Sequence, residues 1–190
     1  MILGSHNSWS YLPVKQWYLK PLAFTAKCQS VDIKTQYEKY GIRCFDLRIR
    51  FDSEAGIVVA HGIFEYKINW FELLNQLNYL NDNLCYLRVI HEVRTKKQYT
   101  DFSKSTFIEF CEYIKKFKHI KAWCGRNLYN WEFDYNFGEE PSCEENYASV
   151  KAPKLIDDWW PWLYAKRNNK NIIKQGADKD ILLVDFVNIR

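Results

Sequence analysis

The hydrophobic pattern of this chain alternates between two periods, one typical of strands and one typical of helices. Short apolar runs, several with every second residue polar, predict β-strands. These runs are residues 1–5, 42–51, 57–60, 87–93 and 181–189. Residues 68–80 and 106–117 carry apolar side chains every third or fourth position and predict amphipathic helices. Strands that alternate with helices are typical of βα units, so we expect an α/β fold with a mostly parallel sheet.

The remaining segments are less regular. Residues 36–40 predict the end of a short helix, because Gly41 follows and leads directly into the next strand. Residues 121–180 mix Trp, Asn, Glu and Pro without a sustained period, and no strand is predicted there. Neither an internal repeat nor a Gly/Ser-rich linker interrupts the chain, so we expect one domain over residues 1–190.

Composition and charge narrow the class of protein. The chain has 190 residues, of which 47% are hydrophobic and 17% aromatic, which excludes a disordered chain and allows a sizeable core. Its net charge of +4, from 27 basic and 23 acidic residues, permits an anionic substrate or a membrane surface. A charge this small does not by itself indicate nucleic acid, and we expect no nucleic-acid partner.

The six cysteines are widely spaced and lack both a Cys-x-x-Cys pair and histidines at zinc-finger spacing. Free buried thiols are therefore favoured over disulfides. The chain starts with an apolar strand rather than a basic leader, and no apolar run approaches the ~20 residues of a membrane span. We therefore expect a cytoplasmic protein, for which peripheral contact with a membrane stays open.

The second predicted strand has one charged face. Strand alternation places Asp46, Arg48 and Arg50 on one side and the intervening apolar residues on the other. On an antiparallel surface strand the charges would lie in water. In a parallel barrel whose outside is covered by helices, they would have to point into the barrel mouth.

Two histidines follow predicted strands, where active sites of α/β proteins collect. His6 follows the first strand and His61 the third, and each lies near a glycine, Gly4 or Gly62. A single histidine at a strand end is commonly a hydrogen-bonded structural residue. A pair at equivalent ends favours catalysis, because glycine allows a ligand to approach the backbone closely.

Carboxylates complete the set of candidate catalytic residues. Asp185 interrupts a nearly all-apolar run, and a buried carboxylate needs a partner. That partner is His6, whose basicity it would raise, or a lysine or arginine. His91 and Glu92 end the fourth strand and face opposite ways, and we expect Glu92 to point into the site; His119, on a lysine-rich helix end, is expected to be solvated.

These residue types suit the cleavage of a phosphodiester without a metal. That reaction needs a base, an acid and a cation for the developing charge. The three segments Gly4-Ser5-His6-Asn7, Gly41 to Arg48, and His61-Gly62 resemble, in order and spacing, the catalytic X region of phosphatidylinositol-specific phospholipase C, especially its bacterial form. Residues 183–188 resemble that family's last barrel strand.

The resemblance implies a distorted or incomplete TIM barrel that acts on phosphatidylinositol in lipid metabolism. The inositol 2-hydroxyl attacks phosphorus, which releases diacylglycerol and a cyclic inositol phosphate, a hydrolase or lyase chemistry. It implies that His6 is the general base, Asp185 its carboxylate partner and His61 the general acid. Arg48 would be the cation beside the phosphate, and Asp46 would help arrange it.

The chain departs from the bacterial pattern at one motif position. Asn7 stands where the bacterial enzymes carry an aspartate that supports the acid histidine. Eukaryotic relatives have asparagine there as a calcium ligand, so calcium at Asn7, Asp46 and Glu92 is an alternative. Arg48 would repel it, and we predict no metal cofactor. We expect Asn7 and Glu92 to contact the substrate, and Arg94 to contact its phosphate or sugar.

Aromatic residues suggest a further contact. Tryptophans lie beside basic residues around Trp9, Trp17 and Trp159-Trp160, as at a membrane interface, although they could instead fill the core.

Two other functions stay open. One is a metal-dependent glycerophosphodiester or sphingomyelin-type phosphodiesterase, although Asp46-Leu47-Arg48 lacks the expected Glu-x-Asp pair. The other is an inactive inositol- or lipid-headgroup-binding module, which Asn7 suggests.

Overall fold

The computed structural model describes residues 1–125, 135–151 and 159–189. It has eight strands joined into one sheet. They are β1 (Ile2–Ser5), β2 (Cys44–Asp52), β3 (Gly56–His61), β4 (Phe64–Glu65), β5 (Cys85–His91), β6 (Ile120–Gly125), β7 (Cys143–Asn146) and β8 (Ile181–Val184). The fold is mixed α/β, as the sequence pattern predicts, and its sheet is a curled half-barrel, which agrees with the incomplete barrel that the resemblance implies.

Six strands run parallel in the order β6-β5-β2-β1-β8-β7. The other two form a hairpin: β3 pairs antiparallel with the end of β2, and β4 pairs antiparallel with β3. The expectation that the third strand is an equivalent parallel strand is therefore wrong. Because β3 folds back along β2, His61 at its end returns to the level of Asp46 and Arg48.

The helices cover the outside of the sheet. They are α1 (Ile33–Glu38), α2 (Trp70–Asp82), α3 (Asp101–Ile114), α4 (Ala148–Lys151) and α5 (Pro161–Gln175), with a 3-10 helix at Trp17–Thr25. Three helices have a side-chain cap at the N-terminus: Asp32 caps α1, Asn69 caps α2 and Thr100 caps α3. In α2, Asn69 and Glu72 form a capping box. A bilayer crossing needs a longer and more apolar helix than any formed by the described residues.

Several boundaries differ from the predicted ones. The strand predicted over residues 181–189 ends at Val184, because Phe186 has a φ of 45° and cannot continue a strand. Helix α3 begins at Asp101, before the predicted residue 106, since Thr100 caps it. In the region without a predicted strand, the structure forms β6 and β7; residues 126–134 and 152–158 of that region lie outside the described residues.

Tight packing fixes the start of β1. A Cβ added at Gly4 would lie 2.5 Å from Leu183 Cδ2 and 2.9 Å from Cys44 Cβ, so only glycine fits between the neighbouring strands. The apolar face of β2, with Phe45, Leu47 and Ile49, is fully buried in the core beneath the helices. The opposite face of β2 therefore points into the half-barrel.

Candidate active site

The residues that the sequence singled out converge at one end of the half-barrel. His6 follows β1, Asp46 and Arg48 lie on β2, His61 ends β3, and Asp185 follows β8. Four of these side chains are buried, and His61 is half-buried. Strands distant in sequence thus deliver imidazole, guanidinium and carboxylate groups to one place.

His6 and Asp185 form a buried pair. The His6 Nδ1 atom lies 2.7 Å from Asp185 Oδ1, and the second carboxylate oxygen accepts a hydrogen bond from the backbone N–H of Ala148 at 3.1 Å. The His6 ring stacks on Tyr147 with centroids 3.6 Å apart. Its other nitrogen, Nε2, is buried and has no hydrogen-bond partner among the described residues. That nitrogen is available to a substrate hydroxyl.

Buried amides hold the two loops that carry this pair. The Gln29 side chain donates to the backbone carbonyls of His6 and Val184 and accepts from the N–H of Val187. The Asn169 side chain, from α5, donates to the carbonyls of Asp185, Phe186 and Ile189. Each amide crosslinks backbone segments at or just beyond the strand ends, so the imidazole and the carboxylate are fixed relative to each other.

Backbone strain occurs beside the same pair. Among the described non-glycine residues, only Asn7 and Phe186 have a positive φ, of 43° and 45°. Asparagine tolerates this conformation, whereas phenylalanine adopts it at a cost of about 1–3 kcal/mol. These residues directly follow His6 and Asp185, so the strain turns the chain sharply just after each member of the pair.

Burial shapes the protonation of the pair. It lowers the pKa of His6 well below its ordinary value, an effect that the Arg48 charge reinforces. It raises the pKa of Asp185 to about 7, although the Ala148 N–H partly offsets the shift. Both shifts disfavour charge, and the two groups share one hydrogen bond, so they titrate as a unit. Above about pH 7 the pair has lost its extra proton and can act as a base.

His61 lies against His6 from the hairpin side. The two rings are perpendicular with centroids 5.6 Å apart. The Nδ1–H of His61 donates to the carbonyl of Ala26 at 3.1 Å, which leaves Nε2 to carry the exchangeable proton. Loss of solvent and the nearby Arg48 charge lower the pKa of His61, while Glu92 and the Ala26 carbonyl act in the opposite direction.

Asp46 organises the positive charge of the site. Its two oxygens accept hydrogen bonds at 2.9 Å from Nε of Arg48 and from Nε of Arg88, and it also accepts the backbone N–H of Asn7. Burial by itself would raise the pKa of Asp46, but the two guanidinium groups outweigh burial and hold that pKa far below its usual range. Asp46 therefore remains ionised and keeps both arginines oriented.

Glu92 connects the cation to the hairpin turn. One carboxylate oxygen accepts the N–H of Gly62 at 2.8 Å, and the other lies 3.7 Å from Arg48 Nη1. Arg94 is exposed and reaches the same turn: a Cβ added at Gly62 would lie 3.2 Å from Arg94 Nη1. The expected substrate contacts Glu92 and Arg94 thus flank the residue that follows His61.

The alternative calcium site at Asn7, Asp46 and Glu92 does not fit the donor set. Both oxygens of Asp46 accept from guanidinium groups, and Glu92 is ion-paired with Arg48. A divalent cation would have to displace Arg48 and Arg88 or lie beside their charges. We derive no catalytic step through calcium.

The other histidines lie outside this cluster. His91 faces away from it, with its ring 4.6 Å from that of Phe107 on α3 and its Nε2 bonded to Ser103. His119 is exposed, and its Nδ1 donates to the carbonyl of Asn81. The choice of Glu92 over its neighbour His91 matches the side chain that contacts Arg48.

Sequence reasoning missed several residues of the site. Arg88 lies opposite Asp46 in the parallel register of β2 and β5, and its Nη1 pairs with Glu145 on β7. The charge of Arg88 inside an apolar strand could have signalled it. Tyr147 and Glu145 belong to the stretch without a clear period, and nothing in the sequence marked Cys28, whose thiol reaches the site from a loop.

A cleft opens beside Arg88 between β6 and β7. It measures about 890 Å³ and is lined by a mixture of charged, polar and apolar residues. They include Arg88, Glu144, Glu145, Lys151 and Lys179. One guanidinium nitrogen of Arg88, Nη2, is buried without a hydrogen-bond partner among the described residues. The cleft therefore offers both donors and acceptors for a hydroxylated molecule, and Arg88 connects it to Asp46 of the His6 cluster.

Neither a protein-family model nor a curated protein sequence matches this chain, whereas solved structures do. A point mutant of the phosphatidylinositol-specific phospholipase C of Staphylococcus aureus matches with a TM-score of 0.64 at 17% identity, over 97% of this chain and 84% of that chain. For the enzyme of Listeria monocytogenes the TM-score is 0.58 at 17% identity, over 97% and 87%. A further S. aureus structure, which concerns modulation of that enzyme's membrane binding, has a TM-score of 0.60 at 18% identity, over 97% and 85%. The chain therefore has the TIM-barrel-like fold of the bacterial phosphatidylinositol-specific phospholipases C.

Proposed function

We propose that this chain is a divergent relative of the bacterial phosphatidylinositol-specific phospholipase C X region and cleaves a phosphodiester without a metal. The observation that carries the proposal is the meeting of His6 and His61, with rings 5.6 Å apart, beside the Arg48 guanidinium and with Asp185 behind His6. A base, an acid and a cation around one space are what phosphodiester cleavage requires. The fold comparison supports the same chemistry.

The proposed reaction starts at His6. Nε2 removes the proton of the inositol 2-hydroxyl while Asp185 holds Nδ1 and stabilises the imidazolium that forms. The hydroxyl oxygen attacks phosphorus, and the bond to the diacylglycerol oxygen breaks. Protonated His61 donates its Nε2 proton to that leaving oxygen, and Arg48 offsets the charge on the phosphoryl oxygens. The products are diacylglycerol and a cyclic inositol phosphate.

Substrate recognition is proposed for the cleft beside the imidazole cluster. Arg88 and Glu145 can bond the hydroxyls of a sugar-like headgroup, and Arg94 and Glu92 flank the opposite side. Asn7 is uncharged and is not the hydrogen-bond partner of His61, because its amide nitrogen lies 3.5 Å from the Tyr66 hydroxyl. The Ala26 carbonyl instead accepts from His61, so a neutral acceptor replaces the expected aspartate.

Phosphorus NMR tests this function. The protein is incubated with vesicles of phosphatidylinositol, and in parallel with glycosylated phosphatidylinositol, glycerophosphodiesters and sphingomyelin. We expect a cyclic phosphate signal from an inositol lipid that is unchanged by a chelator. Turnover that a chelator abolishes would favour the metal-dependent alternative. Binding of inositol lipids without any product would favour the inactive headgroup-binding module.

The pH profile follows from the protonation of the site. The His6–Asp185 pair gains its extra proton as the pH falls through about 7, because the buried Asp185 has a raised pKa. His61 must be protonated, and its pKa is lowered. Because the base has the higher pKa of the two groups, the alkaline limb of a bell-shaped kcat/KM profile reports the pair. We expect this limb to move to lower pH in Asp185→Asn, because that variant removes the raised carboxyl group. A profile whose alkaline limb is the same in both proteins would contradict the assignment.

We also propose that a membrane surface is the site of action. Exposed apolar side chains occur on the 3-10 helix, on the turn after β3 and directly before α5. They are Trp17, Tyr18, Leu22, Phe24, Ile63, Trp159 and Trp160. The rings of Phe24 and Trp160 touch, with centroids 5.7 Å apart, so the first and last of these segments are neighbours. Exposed aromatic rings suit the headgroup region of a bilayer.

Vesicle sedimentation tests the membrane contact. Trp17→Ala and Trp159→Ala remove side chains that are 77% and 72% exposed, so folding should be little affected. We expect each variant to bind anionic vesicles about tenfold more weakly, since each loses an apolar ring from the interface. Phe71→Ala is the matched control, because Phe71 is 75% exposed but lies on α2. Equal losses in all three variants would contradict a specific surface.

A further inference from the structure

A buried thiol lies at the centre of the imidazole cluster. Cys28 is fully buried, and its Sγ lies 4.0 Å from His61 Nδ1 and 3.4 Å from the carbonyl oxygen of Ala26. Its backbone is held firmly, because the Ser10 hydroxyl accepts the N–H groups of Cys28 and Gln29 at 3.0 Å and 2.9 Å. The proposed reaction gives this thiol no role.

Cys28 also completes a group of metal-ligating atoms. One ligand atom from each of His6, Cys28 and Asp185 lies within 4.8 Å of the others, and all three residues are buried. Because Nδ1 is the His6 nitrogen that faces Asp185, we take it as the imidazole ligand. Imidazole nitrogen, thiolate sulfur and one carboxylate oxygen form a donor set typical of zinc, whereas calcium and magnesium prefer oxygen alone.

The distances are compatible with a bound ion after small movements. Bonds of about 2.0–2.3 Å from zinc place tetrahedral ligand atoms roughly 3.3–3.8 Å apart. The His6–Asp185 contact of 2.7 Å would therefore widen by about half an ångström, and the thiol would approach by about 1 Å at most. Side-chain rotation of Cys28 and Asp185 can supply such shifts.

A second observation points to a ligand at the same place. The Oδ1 atom of Asn7 is buried without a hydrogen-bond partner among the described residues, and the same amide has its Nδ2 4.0 Å from Cys28 Sγ. A half-turn of the amide would exchange its oxygen and nitrogen and direct the oxygen toward the thiol. In that orientation the oxygen would replace Nδ2 beside the thiol, at the cost of the 3.5 Å contact between Nδ2 and the Tyr66 hydroxyl, and would suit a fourth ligand position.

We propose that His6, Cys28 and Asp185 form a binding site for a single thiophilic divalent cation such as Zn²⁺, with Asn7 next to its fourth position. Binding releases the Cys28 thiol proton to solvent, so the ligand is thiolate, and it moves the proton of neutral His6 from Nδ1 to Nε2. With Nε2 protonated, the imidazole can no longer accept a proton from a substrate hydroxyl. Zinc is therefore a reversible inhibitor that acts on the general base, an inference that rests on the proposed phosphodiesterase function.

Cobalt titration tests the site without measuring activity. Co²⁺ replaces Zn²⁺ in such sites, and thiolate coordination gives a ligand-to-metal charge-transfer band in the near ultraviolet. We expect the intact protein to bind one Co²⁺ with this band, and Zn²⁺ to displace it. In Cys28→Ser the band should be absent and Zn²⁺ affinity, from calorimetry, at least about tenfold weaker. Cys143→Ser is the matched control, because Cys143 is a half-buried free thiol on β7 and should leave the band intact.

Further measurements keep the outcome decisive. Cys28→Ala and near-ultraviolet circular dichroism show whether loss of the band reflects loss of the ligand or of the fold. A band that persists in folded Cys28→Ser, or that disappears equally in Cys143→Ser, would overturn the site. Zn²⁺ inhibition is then scored against each variant's own metal-free rate. Metal binding in a protein that turns over no inositol lipid would leave the site standing and remove the proposed function.

Discussion

His6→Ala is expected to lower kcat on the inositol lipid by about 10⁴-fold, the upper range for loss of a general base. The physical reason is the position of this imidazole: its Nδ1 is fixed by Asp185 at 2.7 Å, and its Nε2 is free for the substrate hydroxyl. No other described imidazole contacts Asp185, so no neighbouring group can take over the proton transfer. Single-turnover kinetics with phosphatidylinositol vesicles measure the effect.

His119→Ala is the matched control for this experiment. His119 is exposed beyond α3, and its ring bonds to the Asn81 carbonyl rather than to the imidazole cluster, so its removal should leave kcat unchanged. His61→Ala should approach the loss of His6→Ala with substrates whose leaving group is an alkoxide, because such a group needs a proton. Turnover at the unaltered rate in His6→Ala would remove the proposed mechanism.

Asp46→Ala is expected to lower the free energy of unfolding by about 3–5 kcal/mol, the range found when one partner of a buried ion pair is removed. Asp46 is fully buried and accepts hydrogen bonds from both Arg48 and Arg88. Without it, two guanidinium groups remain close together in the half-barrel without their shared carboxylate. The same change should also lower kcat, since Arg48 would no longer be held beside the phosphate.

Urea unfolding followed by tryptophan fluorescence measures this loss. Asp82→Ala is the control, because Asp82 is exposed at the end of α2 and its removal should leave the unfolding midpoint almost unchanged. The pKa of Asp46 is lowered in the folded state, so its stabilisation is present above the ordinary carboxyl pKa and is lost as the pH falls further. A midpoint shift as small as that of the control would show that the arginines find other partners.

Much of the site could be predicted because its residues occupy regular positions in strands. Alternation along β2 placed Asp46 and Arg48 on the face opposite Leu47, and the structure shows that face inside the half-barrel. His6 and Asp185 follow strands β1 and β8, whose ends meet because these strands are parallel neighbours. Local periodicity was sufficient for Asp46 and Arg48, whereas the choice of His6 as the partner of Asp185 depended on the pairing of β1 with β8.

Other features could not be predicted because they depend on contacts between distant segments. The reversal of β3 brings His61 beside His6, whereas a parallel third strand would place it elsewhere. Cys28 reaches the cluster from a loop whose position is set by the Ser10 hydroxyl. Tyr147 stacks on His6 from a segment without a recognisable period. None of these arrangements has a signature within a few neighbouring residues.

The amino-acid sequence by itself marked His6, His61 and Asp185 as candidates and determined that Asp46 and Arg48 share one strand face, since strand periodicity is a property of neighbouring residues. Tertiary structure alone decided the state of those groups. Burial, partly offset by the Ala148 N–H at the start of α4, sets the protonation of Asp185 beside His6, and strand register gives Asp46 its second arginine. Desolvation and charge pairing depend on the whole surrounding volume, and no short stretch of sequence specifies that volume.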